Sequence, residues 1–84
     1  MGILDFIPEE VKGTKSRVVI LGRQEILVEQ HRGLISYETD NIRFRVKGGQ
    51  TAILGKNLVI TSFGAFDARV QGEICQVQLT EEEG

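Results

Sequence analysis

Residues 26–37, ILVEQHRGLISY, decide the fold, because two apolar runs flank a short charged segment that ends in glycine. The runs at 26–28 and 34–37 have the apolar and β-branched composition that is typical of strands. Gly33 can adopt the positive φ that a tight reversal requires, and the charged residues keep the connection in water. The stretch therefore predicts a strand, a turn and a second strand.

Strand-like runs and turn residues alternate on both sides of this stretch. The predicted strands, about eight in number, cover residues 16–21, 24–29, 34–38, 41–46, 50–54, 57–61, 65–71 and 73–79. Glycines or polar pairs separate them, for example at Gly55 and Gly72. This spacing predicts an all-β domain, an antiparallel meander that closes into a roll, a sandwich or a barrel. A β-solenoid is the second possibility, because Gly22, Gly55 and Gly72 each follow a β-branched residue by two positions.

Alternation predicts which faces are buried. In residues 41–47 the apolar side chains point one way, and Arg43, Arg45 and Lys47 point the other way, so this strand has one wet face. Three runs are instead apolar on both faces, at residues 26–28, 52–54 and 58–60. Both faces of such strands must be shielded from water by other parts of the protein. The N-terminal segment or another subunit could supply that second cover. The candidate interaction surface is therefore Leu27, Leu54 and Val59.

The alternation changes phase near the C-terminus. Ile74 and Val77 are separated by an odd number of positions, so a regular strand would place them on opposite faces. One extra residue near Cys75 and Gln76 would return Val77 and Leu79 to the inward direction. We therefore predict a β-bulge at this point.

Residues 1–15 form a lead-in that differs from the strand region at 16–79. Pro8 and the acids after it are typical of a first helical turn, so a short turn or helix is predicted there, ending at Gly13. This lead-in is interpreted either as a lid on the sheet or as an amphipathic foot for a membrane or partner. Its apolar residues are Ile3, Leu4, Phe6, Ile7 and Val11. Residues 80–84 are predicted to be a solvated acidic tail.

Size and composition restrict the class of protein. The chain has 84 residues, which fits a single domain, and 40% of them are apolar, which is enough for a small core. So small a core gains from self-association, which favours a homo-oligomer. The single cysteine, Cys75, cannot form an intrachain disulfide and fits a reducing compartment. No signal peptide or transmembrane run is predicted, so we expect a cytoplasmic protein.

No pattern typical of an enzyme or cofactor site is present in the sequence. His31 is the one histidine, so one chain cannot build a two-histidine metal site. Glu29 could pair with His31, but a lone histidine in a turn more often hydrogen-bonds its own loop. The segment from Gly55 to Asn57 resembles a phosphate-binding loop superficially, yet it joins two predicted strands and fits a hairpin turn. We expect no catalytic residues, no metal and no cofactor.

The basic face of Arg43, Arg45 and Lys47 supports an alternative function. These cations could bind phosphates of nucleic acid or lipid headgroups, or could pair with acids on a neighbouring strand, such as Glu38. Nucleic-acid-binding barrels usually add exposed aromatic platforms. Because Phe44 points away from the basic face and the net charge is −2, a nucleic-acid-binding barrel remains the alternative and not the first choice.

Four stretches together resemble a known family. They are IPEEV at 7–11, VVIL at 18–21 followed by Gly22 and Glu25-Ile26, EQHRGL at 29–34, and Gly49-x-x-x-Ile53-x-Gly55-x-x-Leu58-x-Ile60 closed by Gly72-x-Ile74-x-x-Val77. In this order and spacing the chain resembles the YabP/YqfC family of sporulation proteins, and within it the YqfC branch. It departs from the family pattern at the polar residues 12–16 and at Thr51, where Leu is common.

The resemblance implies a non-enzymatic protein of endospore-forming bacteria. It implies synthesis in the mother cell during sporulation, and work as an assembly factor beside a membrane protein that is encoded nearby. The only residues of this chain to which the resemblance assigns a place in the family pattern are those of the family's turn, His31, Arg32 and Gly33. The segment 29–34 is called the signature turn below.

Overall fold

A computed structural model describes residues 16–81, and within this range every regular element is a β-strand. The all-β class predicted from the sequence is confirmed. The turn or helix predicted near Pro8 lies outside the described residues. Six strands replace the eight predicted ones: β1 Arg17–Leu21, β2 Glu25–Glu29, β3 Leu34–Glu38, β4 Asn41–Val46, β5 Gly49–Phe63 and β6 Asp67–Glu81.

The strands form one open antiparallel sheet in the order β1-β2-β6-β5-β4-β3. β3 to β6 follow one another as a meander, but β2 pairs with β6 and not with β3. A single meander and a solenoid are therefore both wrong. The signature turn is the reason, because it carries the chain from one half of the sheet to the opposite edge instead of closing a hairpin.

β5 and β6 are each 15 residues long, and each merges two of the predicted strands. The turns predicted at Gly55 and Gly72 are wrong, because both glycines lie inside these strands, close to shifts in the pairing register. Glycine within a strand often marks such a bulge or the close approach of another backbone. The predicted bulge at Cys75 is confirmed: Leu54 pairs with Gln76 and Gly55 with Ile74, so Cys75 is the extra residue.

One apolar cluster joins the two halves of the sheet. Its residues come from β2 and β6 on one side of the sheet order and from β5 and β4 on the other. They are Ile26, Val28, Ile42, Phe44, Ile53, Leu58, Ala68 and Val70. Ile42 and Phe44 are fully buried while Arg45 is exposed, as the alternation in β4 predicted. The side of the sheet that carries this cluster is called the core face, and the other side the outer face.

Within residues 16–81 no helix is long and apolar enough to span a membrane. β6 continues to Glu81, two residues beyond the predicted end of the strand region. β1 and β3 are the two outermost strands of the sheet.

Ion pairs link neighbouring strands on the outer face. Arg17 Nε lies 2.7 Å from Glu29 Oε1 across β1 and β2, and Arg69 Nη1 lies 2.6 Å from Glu25 Oε2 across β6 and β2. Their side chains remain partly exposed, so each contact makes a modest, salt-sensitive contribution to stability.

The pair of Glu25 and Arg69 predicts a pH-dependent stability. The hydrogen bond from Arg69 lowers the pKa of Glu25 below its ordinary value of 4.5. A carboxylate with a lowered folded-state pKa stabilises the fold above its unfolded-state pKa and loses that effect as the pH falls through the folded-state value. Glu25→Gln should therefore lower the urea midpoint at pH 7 and leave it close to the wild-type midpoint at pH 3. An equal loss at both pH values would contradict the role of the ion pair.

Candidate interaction site

The signature turn is held by His31, which is buried although its neighbours in sequence are polar. Its side chain is only 2% exposed. The imidazole stacks on Phe63 with ring centroids 5.1 Å apart and an angle of 19°, and it lies tilted against Phe44 at 5.4 Å. His31 therefore packs between a core residue of β4 and the last residue of β5.

Hydrogen bonds fix the orientation of this imidazole. The backbone N–H of Gly33 donates to His31 Nδ1 at 3.0 Å, which assigns the hydrogen of the neutral ring to Nε2. His31 Nε2 is buried and has no hydrogen-bond partner within residues 16–81. The ring thus acts as an acceptor inside its own loop, as expected for a histidine in a turn.

Backbone hydrogen bonds attach the signature turn to both halves of the sheet. The N–H of His31 donates to the carbonyl of Phe66 at 3.1 Å, next to the start of β6. The N–H of Arg32 donates to the carbonyl of Arg45 at 2.6 Å, and the N–H of Arg45 donates back to the carbonyl of Gly33 at 2.8 Å. The turn is therefore a clamp that holds the edge of β4 to the β5–β6 connection.

The backbone of the signature turn explains its glycine. Gly33 has φ of 124°, a conformation that other residues rarely adopt, and Gln30 also has a positive φ, 61°. The positive φ predicted at Gly33 is confirmed. Two such residues turn the chain sharply enough to leave β2 and begin β3 at the far edge.

Comparison with known proteins agrees with the resemblance carried by this turn. The sequence model of the YabP family matches residues 12–84. The chain belongs to the YabP family. A relative from Bacillus subtilis (strain 168), named uncharacterized protein YqfC, is 35% identical over 75 residues, which cover 89% of this chain and 81% of the relative. No solved structure matches the chain.

In this YabP-family chain, Glu29 does not pair with His31. Glu29 instead contacts Arg17, and Nδ1 of His31 is occupied by the N–H of Gly33. Among the described residues, no group of three or more His, Cys, Asp and Glu side chains could hold a metal ion. In this chain, His31 and Gly33 of the signature turn contact each other and not Glu29.

The outer face carries the residues proposed from the sequence as an interaction surface. Leu27 and Leu54 are half-buried, and Val59 is 49% exposed. Leu27 lies opposite Arg69 of β6, and Val59 lies opposite Gln71. Register shifts of β5 lie between Leu54 and Val59.

The basic face of the YabP-family chain is also on the outer side of the sheet. Arg43 lies between Ser36 of β3 and Ala52 of β5, and it is half-buried. Arg45 and Lys47 are exposed, and both take part in other interactions of the fold. Glu38 lies opposite Asn41 in the register, not opposite Arg43.

The edge strand β3 was not singled out from the sequence. Within the described part of the chain it pairs only with β4, and its apolar residues Leu34, Ile35 and Tyr37 are 39%, 38% and 47% exposed. Ile35 is an extra residue in the register, between Leu34 opposite Phe44 and Ser36 opposite Arg43. The one signal in the sequence was the run Leu34-Ile35, which is more apolar than a strand with one wet face needs to be.

Proposed function

We propose that this protein is a non-enzymatic sporulation protein of the mother-cell cytoplasm. It acts by protein–protein contact, as an assembly factor beside a membrane protein. Membership of the YabP family and the resemblance to its sporulation proteins support the cellular role. The open, apolar edge of β3 is the observation that carries the mode of action.

The edge of β3 has the two properties that strand addition requires. Its outer backbone groups have no strand beside them among residues 16–81, so they can pair with an extended segment of another chain. Its side chains supply the apolar contact, because Leu34 and Ile35 are both more than a third exposed. The partner is an extended segment of the membrane protein, and a second copy of this chain competes for the same edge.

The far end of β3 is fixed before any partner binds. The hydroxyl oxygen of Tyr37 accepts a hydrogen bond from the N–H of Ile60 at 2.9 Å, so Tyr37 ties this end of the edge to β5. The clamp at the signature turn fixes the other end. A preformed edge loses little conformational entropy when a partner strand is added.

A pair of neighbouring substitutions tests this edge. Ile35→Asp places a charge on the exposed apolar edge, whereas Ser36→Asp places the same charge opposite Arg43 on the outer face. We expect Ile35→Asp to weaken partner binding about tenfold or more, as at an apolar hot spot, and to lower the count of heat-resistant spores. Ser36→Asp should leave partner binding and the spore count at their wild-type levels. Equal spore counts for the two variants, with both folded by circular dichroism, would exclude the edge as the contact site.

Leu27, Leu54 and Val59 are proposed as a second contact surface. Val59→Asp is its test in the same assay, because Val59 is the most exposed of the three and is not part of the core cluster. Loss of heat-resistant spores with Val59→Asp but not with Ile35→Asp would show that the partner contacts the outer face and not the edge of β3. Sedimentation at several protein concentrations separates a second copy from the membrane protein as the partner.

A further inference from the structure

Two unpaired strand edges border a trough on the core face that has large apolar side chains in its walls. Within the described residues β1 pairs only with β2, and β6 beyond Ile74 pairs only with β5. Between these edges lies a hollow of about 770 Å³, whose lining combines the apolar Ile20, Ile74 and Val77 with the polar Arg23, Glu73 and Gln76. A smaller hollow, whose lining includes Ser16 and Leu79, lies farther along β6 toward its end. These two hollows are called the trough.

The walls of the trough expose large apolar side chains. Ile20 of β1 is 57% exposed and Leu79 of β6 is 74% exposed, and both strands point these residues toward the core face. Side chains of this size, grouped along two open edges in so small a domain, mark a surface that is normally covered.

The position of Ser16 indicates what covers it. Ser16 is the first described residue and lines one end of the trough, so the fifteen residues before it begin at its mouth. The trough runs along about six residues of β-strand, or roughly 20 Å. Twelve extended residues reach about 40 Å, and Gly13 permits a reversal just before Ser16. The preceding segment is thus long enough to turn back along the trough.

The composition of this segment matches the trough. It carries Ile3, Leu4, Phe6, Ile7 and Val11 within its first eleven residues. We propose that residues 3–11 of the same chain lie in the trough and cover Ile20, Ile74, Val77 and Leu79. This inference does not depend on the proposed function, since the edge of β3 lies at the other end of the sheet.

Cys75 provides a native probe of the trough. It is exposed in the described part of the chain, and it lines the hollow beside Ile74. In the full chain, we expect a thiol reagent such as dithionitrobenzoate to modify Cys75 at least about tenfold more slowly than in Phe6→Asp/Ile7→Asp, because modification then requires the segment to leave. The control Thr14→Asp adds charge to a polar position and should react as slowly as the wild type.

Two results of this experiment would overturn the proposal. Equal rates in the wild type and in Phe6→Asp/Ile7→Asp would show that the segment does not cover Cys75. Protection that increases with protein concentration would assign the trough to a second copy of the chain. Circular dichroism establishes that each variant has kept its strands.

A disulfide trap tests the same proposal without disrupting the segment. With oxidised glutathione, the full-length Ile7→Cys variant should form an intrachain disulfide with Cys75, because the two side chains lie in one trough. Ser62→Cys, near the end of β5, is the control and should stay reduced within the monomer. Absence of the intrachain disulfide in Ile7→Cys, or its formation only between chains, would contradict the proposal.

Discussion

Gly55→Ala should destabilise the protein by about 3 kcal/mol, although Ala normally stabilises a strand relative to Gly. A Cβ at Gly55 would lie 2.0 Å from the carbonyl oxygen of Glu73 and 3.1 Å from Leu58 Cδ2. The first contact is with backbone, so β5 and β6 must separate at the point where the N–H of Gly55 also donates to the carbonyl of Asp40. The predicted change thus has the opposite sign to that given by local propensity.

Thermal unfolding followed by circular dichroism measures this effect. For a domain of this size, a loss of about 3 kcal/mol lowers Tm by about 12–24 °C. Gly48→Ala is the matched control: Gly48 has φ of 84°, but a Cβ there would have no atom within 4 Å. Gly48→Ala should lower the free energy of unfolding only by the backbone strain, about 1–2 kcal/mol. A Tm for Gly55→Ala at or above that of the wild type would show that β5 and β6 do not approach as closely as described.

His31→Ala should lower the free energy of unfolding by about 2–4 kcal/mol, because it removes a buried ring and leaves a cavity beside Phe44. It also leaves the N–H of Gly33 without its acceptor, Nδ1 of His31. The clamp would then loosen on both sides, at Phe66 and at Arg45. The expected readouts are a lower urea midpoint and faster amide exchange in residues 30–33 and at Arg45.

Two further substitutions separate the contributions of His31. His31→Phe keeps an aromatic ring against Phe63 and Phe44 but loses the acceptor, whereas His31→Asn keeps a polar acceptor and loses the ring. If packing dominates, His31→Phe should be the more stable of the two. If both variants matched the wild type, the signature turn would need no clamp, and the role assigned to His31 would be wrong.

The presence of strands and the buried face of each strand could be predicted from the sequence, because both are local properties. The alternation of Ile42, Arg43, Phe44 and Arg45 gives the buried face of β4 directly, and the change of phase near Cys75 gives the bulge. These patterns depend only on neighbours along one strand, so no knowledge of the partner strand was needed.

Connectivity could not be predicted in the same way. A glycine at a bulge and a glycine at a turn look alike in a sequence, so the pattern predicts turns at Gly55 and Gly72 although both lie within strands. Alternation also does not specify the partner of a strand, and it therefore missed the pairing of β2 with β6. The burial of His31 was missed because its polar neighbours suggested a solvated loop.

The pairing of β2 with β6 also has a consequence for the order of events during synthesis. Glu25 pairs with Gln71 and Glu29 with Asp67, so β2 cannot pair with β6 until β3, β4 and β5 have also been synthesised. Until the ribosome releases β6, the hairpin of β1 and β2 presents Ile26 and Val28 to water or to chaperones. Folding dominated by such distant contacts is slow. The nascent chain is therefore most prone to aggregation in the interval after β2 has left the ribosome and before β6 has left it.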